Sequence, residues 1–146
     1  MNNLDYGIIG NCRSAALVSK TGAIDWCCLP EFDSSSVFAA LLDEKIGGSF
    51  EILVDDSYTI TQRYKKHTAI LITRFVSGEN AFEIRDFMPR YRKEGGYNSP
   101  PELVRYFKHL SGKPVFKVKY DPKLEYAAGI TDTYVKKNFI VSLTHG

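Results

Sequence analysis

What most constrains this chain is how its apolar runs are punctuated. Short apolar or alternating stretches recur along nearly its whole length, and clusters of Gly, Pro, Asn, Asp or Ser separate them at close intervals. Ser14–Ser19 and Ala23–Leu29 flank Lys20-Thr21-Gly22 and read as a hairpin, which Pro30 closes. Ser49–Val54, Ser57–Tyr64, Ala69–Val76 and Ala81–Phe87 follow, with turns at Asp55-Asp56 and Ser77–Asn80 between them. Tyr58, Ile60, Gln62 and Tyr64 share one face of their run, and Phe82 and Ile84 lie opposite Glu83 and Arg85. Leu103–Leu110, Val115–Tyr120, Thr131–Lys136 and Asn138–Leu143 complete the series. So many short strands at such spacing predict an all-β, antiparallel sandwich rather than alternating β/α units.

Two segments depart from that rhythm. In EFDSSSVFAALLDEK the period changes, with Val37, Ala40 and Leu41 at helical spacing and Phe38 and Leu42 widening the face. A short helix is expected near residues 35–43, capped by one of Ser34, Ser35 or Ser36 and stopped by Gly47-Gly48. Arg90–Pro101 is rich in Gly, Pro and charge and reads as a loop.

With 146 residues, the chain suits one domain able to bury its own core. Its 19 basic and 17 acidic residues are interspersed and leave a net charge of +2, which gives no pull toward nucleic acid or an anionic membrane. No apolar run is long enough to span a bilayer, and the N-terminus lacks a basic segment followed by an apolar core, so the expected location is cytoplasmic. Cys12, Cys27 and Cys28 have no CxxC spacing, and adjacent strand residues point to opposite faces. Reduced, mostly buried thiols are therefore expected, with no disulfide and no metal site.

Little in the residues alone points to catalysis. His67, His109 and His145 show no HxH or HExxH spacing, the serines form no GxSxG, and no cofactor is implied. Most carboxylates lie beside turns or on outward strand positions. Asp25, inside AIDWCC, Asp33, before the expected helix, and Asp86, in RDFMPR, are the exceptions. Carboxylates in such surroundings need donors. Helix amides would serve Asp33, and Arg85, Arg90 or Arg92 would serve Asp86. Tyr91 and Tyr97, in the Gly/Pro-rich loop, are the aromatics most exposed for stacking on sugars.

The opening segment adds what composition does not. YGIIGNCRSAALVSKTGAIDWCCLPEFDSSSVF resembles the start of the bacterial and archaeal family 15 glycoside hydrolases, the glucoamylase- and trehalase-like enzymes. The matching positions are Tyr6, Gly7, Ile9, Gly10, Asn11, Ser14–Val18, Gly22, Ile24-Asp25-Trp26, Cys28, Pro30, Phe32-Asp33-Ser34 and Phe38. RYKKHTAILITRF, FEIRDFMPR and LVRYFKHLSGKPVFKVKYDP are similar to later elements of the same family. Glu31 and Ser35 depart from the usual pattern.

The resemblance implies an N-terminal β-sandwich packed on a separate α/α barrel that carries both catalytic glutamates of an inverting hydrolase of α-linked glucose saccharides. Nothing in residues 1–146 is similar to that barrel, so no catalytic residue maps onto this chain and the fragment alone is expected to be inactive. The sequence stops at Thr144-His145-Gly146, just after a strand-like run, and a sandwich cut at its C-terminal end is expected. Trp26, Phe32, Asp33 and Phe38 are the candidates for contact with the barrel or the mouth of its active site. A stand-alone carbohydrate-binding module is the alternative. Strand edges opened by such a cut predict a homodimer.

Overall fold

The computed structural model describes residues 5–145. All regular structure in it is strand, apart from one 3-10 turn at Leu124–Ala127. The first sheet takes β1 (Tyr6–Gly10), β2 (Ala15–Ser19), β3 (Ile24–Cys28), β5 (Ser49–Leu53) and β12 (Lys117–Asp121), in that order. β4 (Ser36–Phe38) is added on β3. The second sheet is β11 (Val104–Ser111), β8 (Asn80–Phe87), β7 (Leu71–Ser77) and β6 (Thr59–Tyr64). Two hairpins stand apart: β9 (Tyr91–Lys93) with β10 (Gly96–Asn98), and β13 (Ile130–Val135) with β14 (Ile140–His145). Every pairing is antiparallel, and the two larger sheets face each other as a sandwich.

Period-two alternation decides what lies between the sheets. Leu71, Thr73 and Phe75 point inward from β7, and Phe82, Ile84 and Asp86 from β8. They meet Ile9, Ala16, Val18, Ile24 and Cys27 from the first sheet. The buried apolar residues form two clusters. One gathers Ile9, Ala16, Val18, Ile24, Cys27, Phe38, Leu71 and Met88, and the other Ile52, Phe75, Phe82 and Ile84. The second is an aromatic stack: Phe82 lies 4.6 Å from Phe75 and 4.5 Å from Phe116, and Phe116 lies 5.3 Å from Phe107.

A polar seam divides the clusters. Thr73 separates Leu71 from Phe75 along β7, and Asp86 separates Ile84 from Met88 along β8. Both are fully buried. Asp86 accepts two bonds from Arg105, at 2.8 and 3.1 Å from Nε and Nη2. The same guanidinium crosses to the other sheet, donating from Nη1 to the Phe50 carbonyl at 3.0 Å and from Nη2 to the Gly22 carbonyl. It also lies 4.7 Å over the Phe50 ring. Burial pushes the Asp86 carboxyl above its ordinary range, while Arg105 pulls it down. The arginines expected beside Asp86 do not hold it; Arg105, its direct cross-strand partner, does.

The expected helix near residues 35–43 is absent. Ser36–Phe38 instead forms β4, with Phe38 opposite Cys27 and Ser36 opposite Cys28. A single turn follows, in which the Leu42 and Asp43 amides bond to the Ala39 carbonyl at 2.9 and 3.3 Å. So short a segment cannot meet the cost of helix nucleation against competing sheet bonds. The Ala39 and Ala40 amides are taken by the carbonyls of Gly47 and Gly48, at 2.8 and 3.1 Å. Only glycine permits that approach, since a Cβ on Gly47 would lie 2.2 Å from the Ala39 carbonyl oxygen. Leu42, which would widen the apolar face of a helix, is exposed. The loop expected at Arg90–Pro101 also carries order, as the β9–β10 hairpin turning on Gly95 and Gly96 at φ +85° and +147°.

Candidate functional site

One end of the sandwich is organised by the turn between β1 and β2. Asn11 is buried, and all of its side chain is in use. Its Oδ1 accepts from the Arg13 and Ser14 amides, at 3.1 and 3.0 Å. Its Nδ2 donates to the carbonyls of Pro89 and Pro100, at 3.2 and 2.9 Å. Ser99 Oγ returns a bond to the Asn11 carbonyl at 2.9 Å. Two segments are thereby fixed on either side of residues 11–14. The β9–β10 hairpin is on one side; on the other is the loop Pro30–Ser35, where the Phe32 amide bonds to the Arg13 carbonyl at 3.0 Å and Arg13 pairs with Glu31 at 3.1 Å.

Within that loop Ser34 Oγ accepts from the Glu31 amide at 3.0 Å, and the Ser34 amide returns to the Glu31 carbonyl at 3.1 Å. This closed turn leaves Phe32 62% exposed and Asp33 exposed beside it. No helix follows, so Asp33 has no helix amides to accept from, contrary to the sequence expectation. Trp26, half-buried on β3, lies 6.2 Å from Tyr126 at 44°. The Tyr126 hydroxyl reaches the Ser34 carbonyl at 3.5 Å. Tyr126 sits in a left-handed run, with Glu125, Tyr126 and Ala127 at φ +55°, +57° and +58°. None of the three is glycine, and each such residue costs about 1–3 kcal/mol unless its surroundings hold it. Contacts with Trp26, the Ser34 carbonyl and the Cys28 thiol hold Tyr126.

Tyr126 thus links Trp26 to the loop that carries the exposed Phe32 and Asp33. Phe38 does not join them at the surface. It is buried, with its ring 6.3 Å from Phe50 and 5.9 Å from Tyr120, and has no outward face for a partner. Sequence reading missed Tyr126 because its position depends on backbone angles that alternation does not encode. Tyr91 and Tyr97 lie across the Asn11 turn, on β9 and β10. Asn98 Nδ2 donates to the Tyr91 hydroxyl at 2.5 Å, and the Arg90 guanidinium lies 4.5 Å over the Tyr97 ring. One face of Tyr97 is therefore covered, and the two rings do not form a bare stacking platform.

Asp25, Glu51 and Asp86 are held in structural bonds, whereas Asp33 is exposed. Asp25 accepts from the Tyr6 hydroxyl at 3.0 Å. Burial, and secondarily the Asp25 carboxylate, push that hydroxyl up to about 12, so it remains a donor. Burial raises the Asp25 carboxyl above its ordinary 3.8, against the pull of Tyr6. Lys119 at 2.7 Å and Ser49 at 2.5 Å hold Glu51 below its ordinary 4.5. Burial pushes the Cys27 thiol up to about 12, which keeps it a neutral core group. Among the described residues no group of His, Cys, Asp and Glu is arranged to hold a metal ion.

These shifts give opposite pH trends. A raised Asp25 pKa means the native state holds that proton more tightly, so its contribution to stability grows as pH falls through the raised pKa toward 3.8. Glu51 stabilises above 4.5 and loses that contribution as pH falls through its lowered pKa. Asp25→Asn is expected to abolish the first trend alone. Melting curves for both proteins, from neutral pH down to 3.8, test this; parallel curves would show that Asp25 is not the group responsible.

The sequence model of the family described as "Trehalase-like, N-terminal" matches residues 5–142. The trehalase of Thermoplasma volcanium is 39% identical over 124 residues, covering 83% of this chain and 20% of that protein. Trehalase 2 of Sulfolobus acidocaldarius is 31% identical over 138 residues, covering 94% of the chain and 22% of its own length. The trehalase of Mycolicibacterium smegmatis is 33% identical over 135 residues, covering 84% and 20%. The chain spans about a fifth of the length of the curated relatives it matches. No solved structure matches it significantly.

Proposed function

The chain belongs to the trehalase-like N-terminal family, and from that premise we propose that it is the non-catalytic N-terminal domain of a glucoamylase- or trehalase-like hydrolase of α-glucosides. The observation that carries this reading is a family match over nearly the whole chain that nonetheless corresponds to about a fifth of each trehalase compared. The side-chain chemistry agrees with it. A glycosidase sets two carboxyl groups roughly 5 to 9.5 Å apart across a sugar. Here Asp25, Glu51 and Asp86 are engaged by Tyr6, Lys119 and Arg105. Cys12, Cys27 and Cys28 are all free thiols, which suits a reducing, cytoplasmic setting.

The domain's role in this reading is to support the catalytic barrel. Phe32, Asp33 and Trp26 form the contact, Tyr126 holds the loop from the side, and Phe38 anchors β4 beneath it. An exposed phenylalanine and a half-buried tryptophan, joined through Tyr126 and the Ser34 carbonyl, offer apolar area that another domain can cover. In a polypeptide that carries both this domain and its catalytic part, Phe32→Ala with Asp33→Ala is expected to lower kcat/KM by roughly tenfold, about 1.4 kcal/mol. Unchanged turnover together with an unchanged melting temperature would remove the contact assignment. Calorimetry of the isolated chain with trehalose and maltooligosaccharides is expected to give no heat of binding. A saturable heat would instead favour a sugar-binding module built on Tyr91 and Tyr97.

A further inference from the structure

We propose that the outer face of the second sheet is a docking surface for an acidic segment of a partner polypeptide. Strand register builds this face. In β6, β7, β8 and β11 the residues between the core positions point away from the first sheet. Arg63 lies opposite Ile72, Ile72 opposite Arg85, and Arg85 opposite Tyr106. In the next row Arg74 lies opposite Glu83, and Glu83 opposite Lys108. Cations far apart in sequence are thereby gathered on one flat surface.

Four cations against one carboxylate leave +3 on these two rows, more than the +2 of the whole chain. The net positive charge of the protein is therefore concentrated here, although both signs are mixed along the sequence. Glu83 accepts from Nε and Nη2 of Arg85, at 2.9 and 2.6 Å. Arg63, Arg74 and Lys108 are exposed, and among the described residues none of the three has a carboxylate within ion-pair distance. Like charges held on neighbouring strands repel one another, and a partner that brings carboxylates relieves that repulsion.

Carboxylates suit these heads. Arg85 already holds one on this face, and the planar fork of a guanidinium matches a carboxylate in shape and spacing. Nucleic acid is a poorer match. A single-strand site stacks bases on a series of aromatics, and Tyr106 is the one aromatic side chain in the two rows. A flat sheet face also presents nothing that enters a duplex groove. An anionic membrane is poorer still, because the one aliphatic side chain in the rows, Ile72, is only 4% exposed and has no reach into lipid.

Fluorescence anisotropy of a labelled poly-glutamate peptide, titrated with the full chain, tests this. Saturable binding is expected, weakening as salt rises. Arg74→Gln with Lys108→Gln is expected to weaken it by roughly tenfold or more. Lys136→Gln with Lys137→Gln removes the same charge from the β13–β14 turn and is expected to leave binding unchanged. Arg74 and Lys108 are exposed, so the sandwich should melt as before, and melting is measured alongside. Arg63→Gln, which does not lie opposite Glu83, is a second variant expected to weaken binding with the fold intact. A peptide that does not bind overturns the proposal. Equal loss in the two double variants overturns it too, since net charge rather than this face then holds the peptide. Oligothymidylate and vesicles containing phosphatidylserine are compared under the same conditions, and tighter binding of either than of the peptide overturns the choice of a carboxylate partner.

Discussion

Arg105→Ala is expected to destabilise the domain by about 3–5 kcal/mol, because it leaves the wholly buried Asp86 carboxylate without its counter-charge. Its guanidinium is only 3% exposed. The loss extends beyond one ion pair. The carbonyls of Phe50 and Gly22 lose their donor, and the Phe50 ring loses the cation above it. Asp86→Ala should cost a similar amount by the reverse route, stranding a buried cation. The double variant Asp86→Leu with Arg105→Met leaves neither charge and is expected to be milder than either single change. Urea unfolding of all four proteins measures this. A double variant as unstable as the sum of the singles would mean that uncompensated charge is not the cause.

Phe82→Ala is the second large effect, again about 3–5 kcal/mol. Phe82 is 2% exposed and sits at the middle of the aromatic stack, against Phe75 and Phe116, with Tyr58 edge-on at 6.1 Å. Alanine would open a cavity among rings that are held from both sheets and cannot close on it. A melting temperature lower by roughly 10 °C or more is expected for a domain of this size. A shift of only a few degrees would show that the stack collapses into the space. Phe82→Leu, which keeps most of the volume, should fall between wild type and alanine.

The inner faces were legible in the sequence because a strand exposes every second residue to the same side. The run from Tyr58 to Tyr64 and the placing of Phe82 and Ile84 opposite Glu83 and Arg85 follow from that alone. Helical spacing misled at Val37, Ala40 and Leu41, where the apolar pattern suited a helix but a glycine-dependent backbone approach held the segment on β3. Pairings between distant strands were beyond reach. Asp86 lies among arginines in sequence, yet its partner comes from β11, fixed by a register no local pattern records. Of the candidate site, Trp26, Phe32 and Asp33 were visible through the family's opening motif. Tyr126 was not, since three successive left-handed residues carry no sequence signature when none is glycine.

The polar seam also dictates an order of events during synthesis. Gly22 leaves the ribosome 83 residues ahead of Arg105, and Asn11 leaves 89 residues ahead of Pro100. Until those later segments emerge, the first hairpin and β8 hold polar groups whose partners have not yet been made. The domain therefore cannot be built strand by strand from its N-terminus. Its closure waits for two late strands, β11 and β12, and until they emerge the nascent chain holds polar groups without the partners that the folded sheets give them.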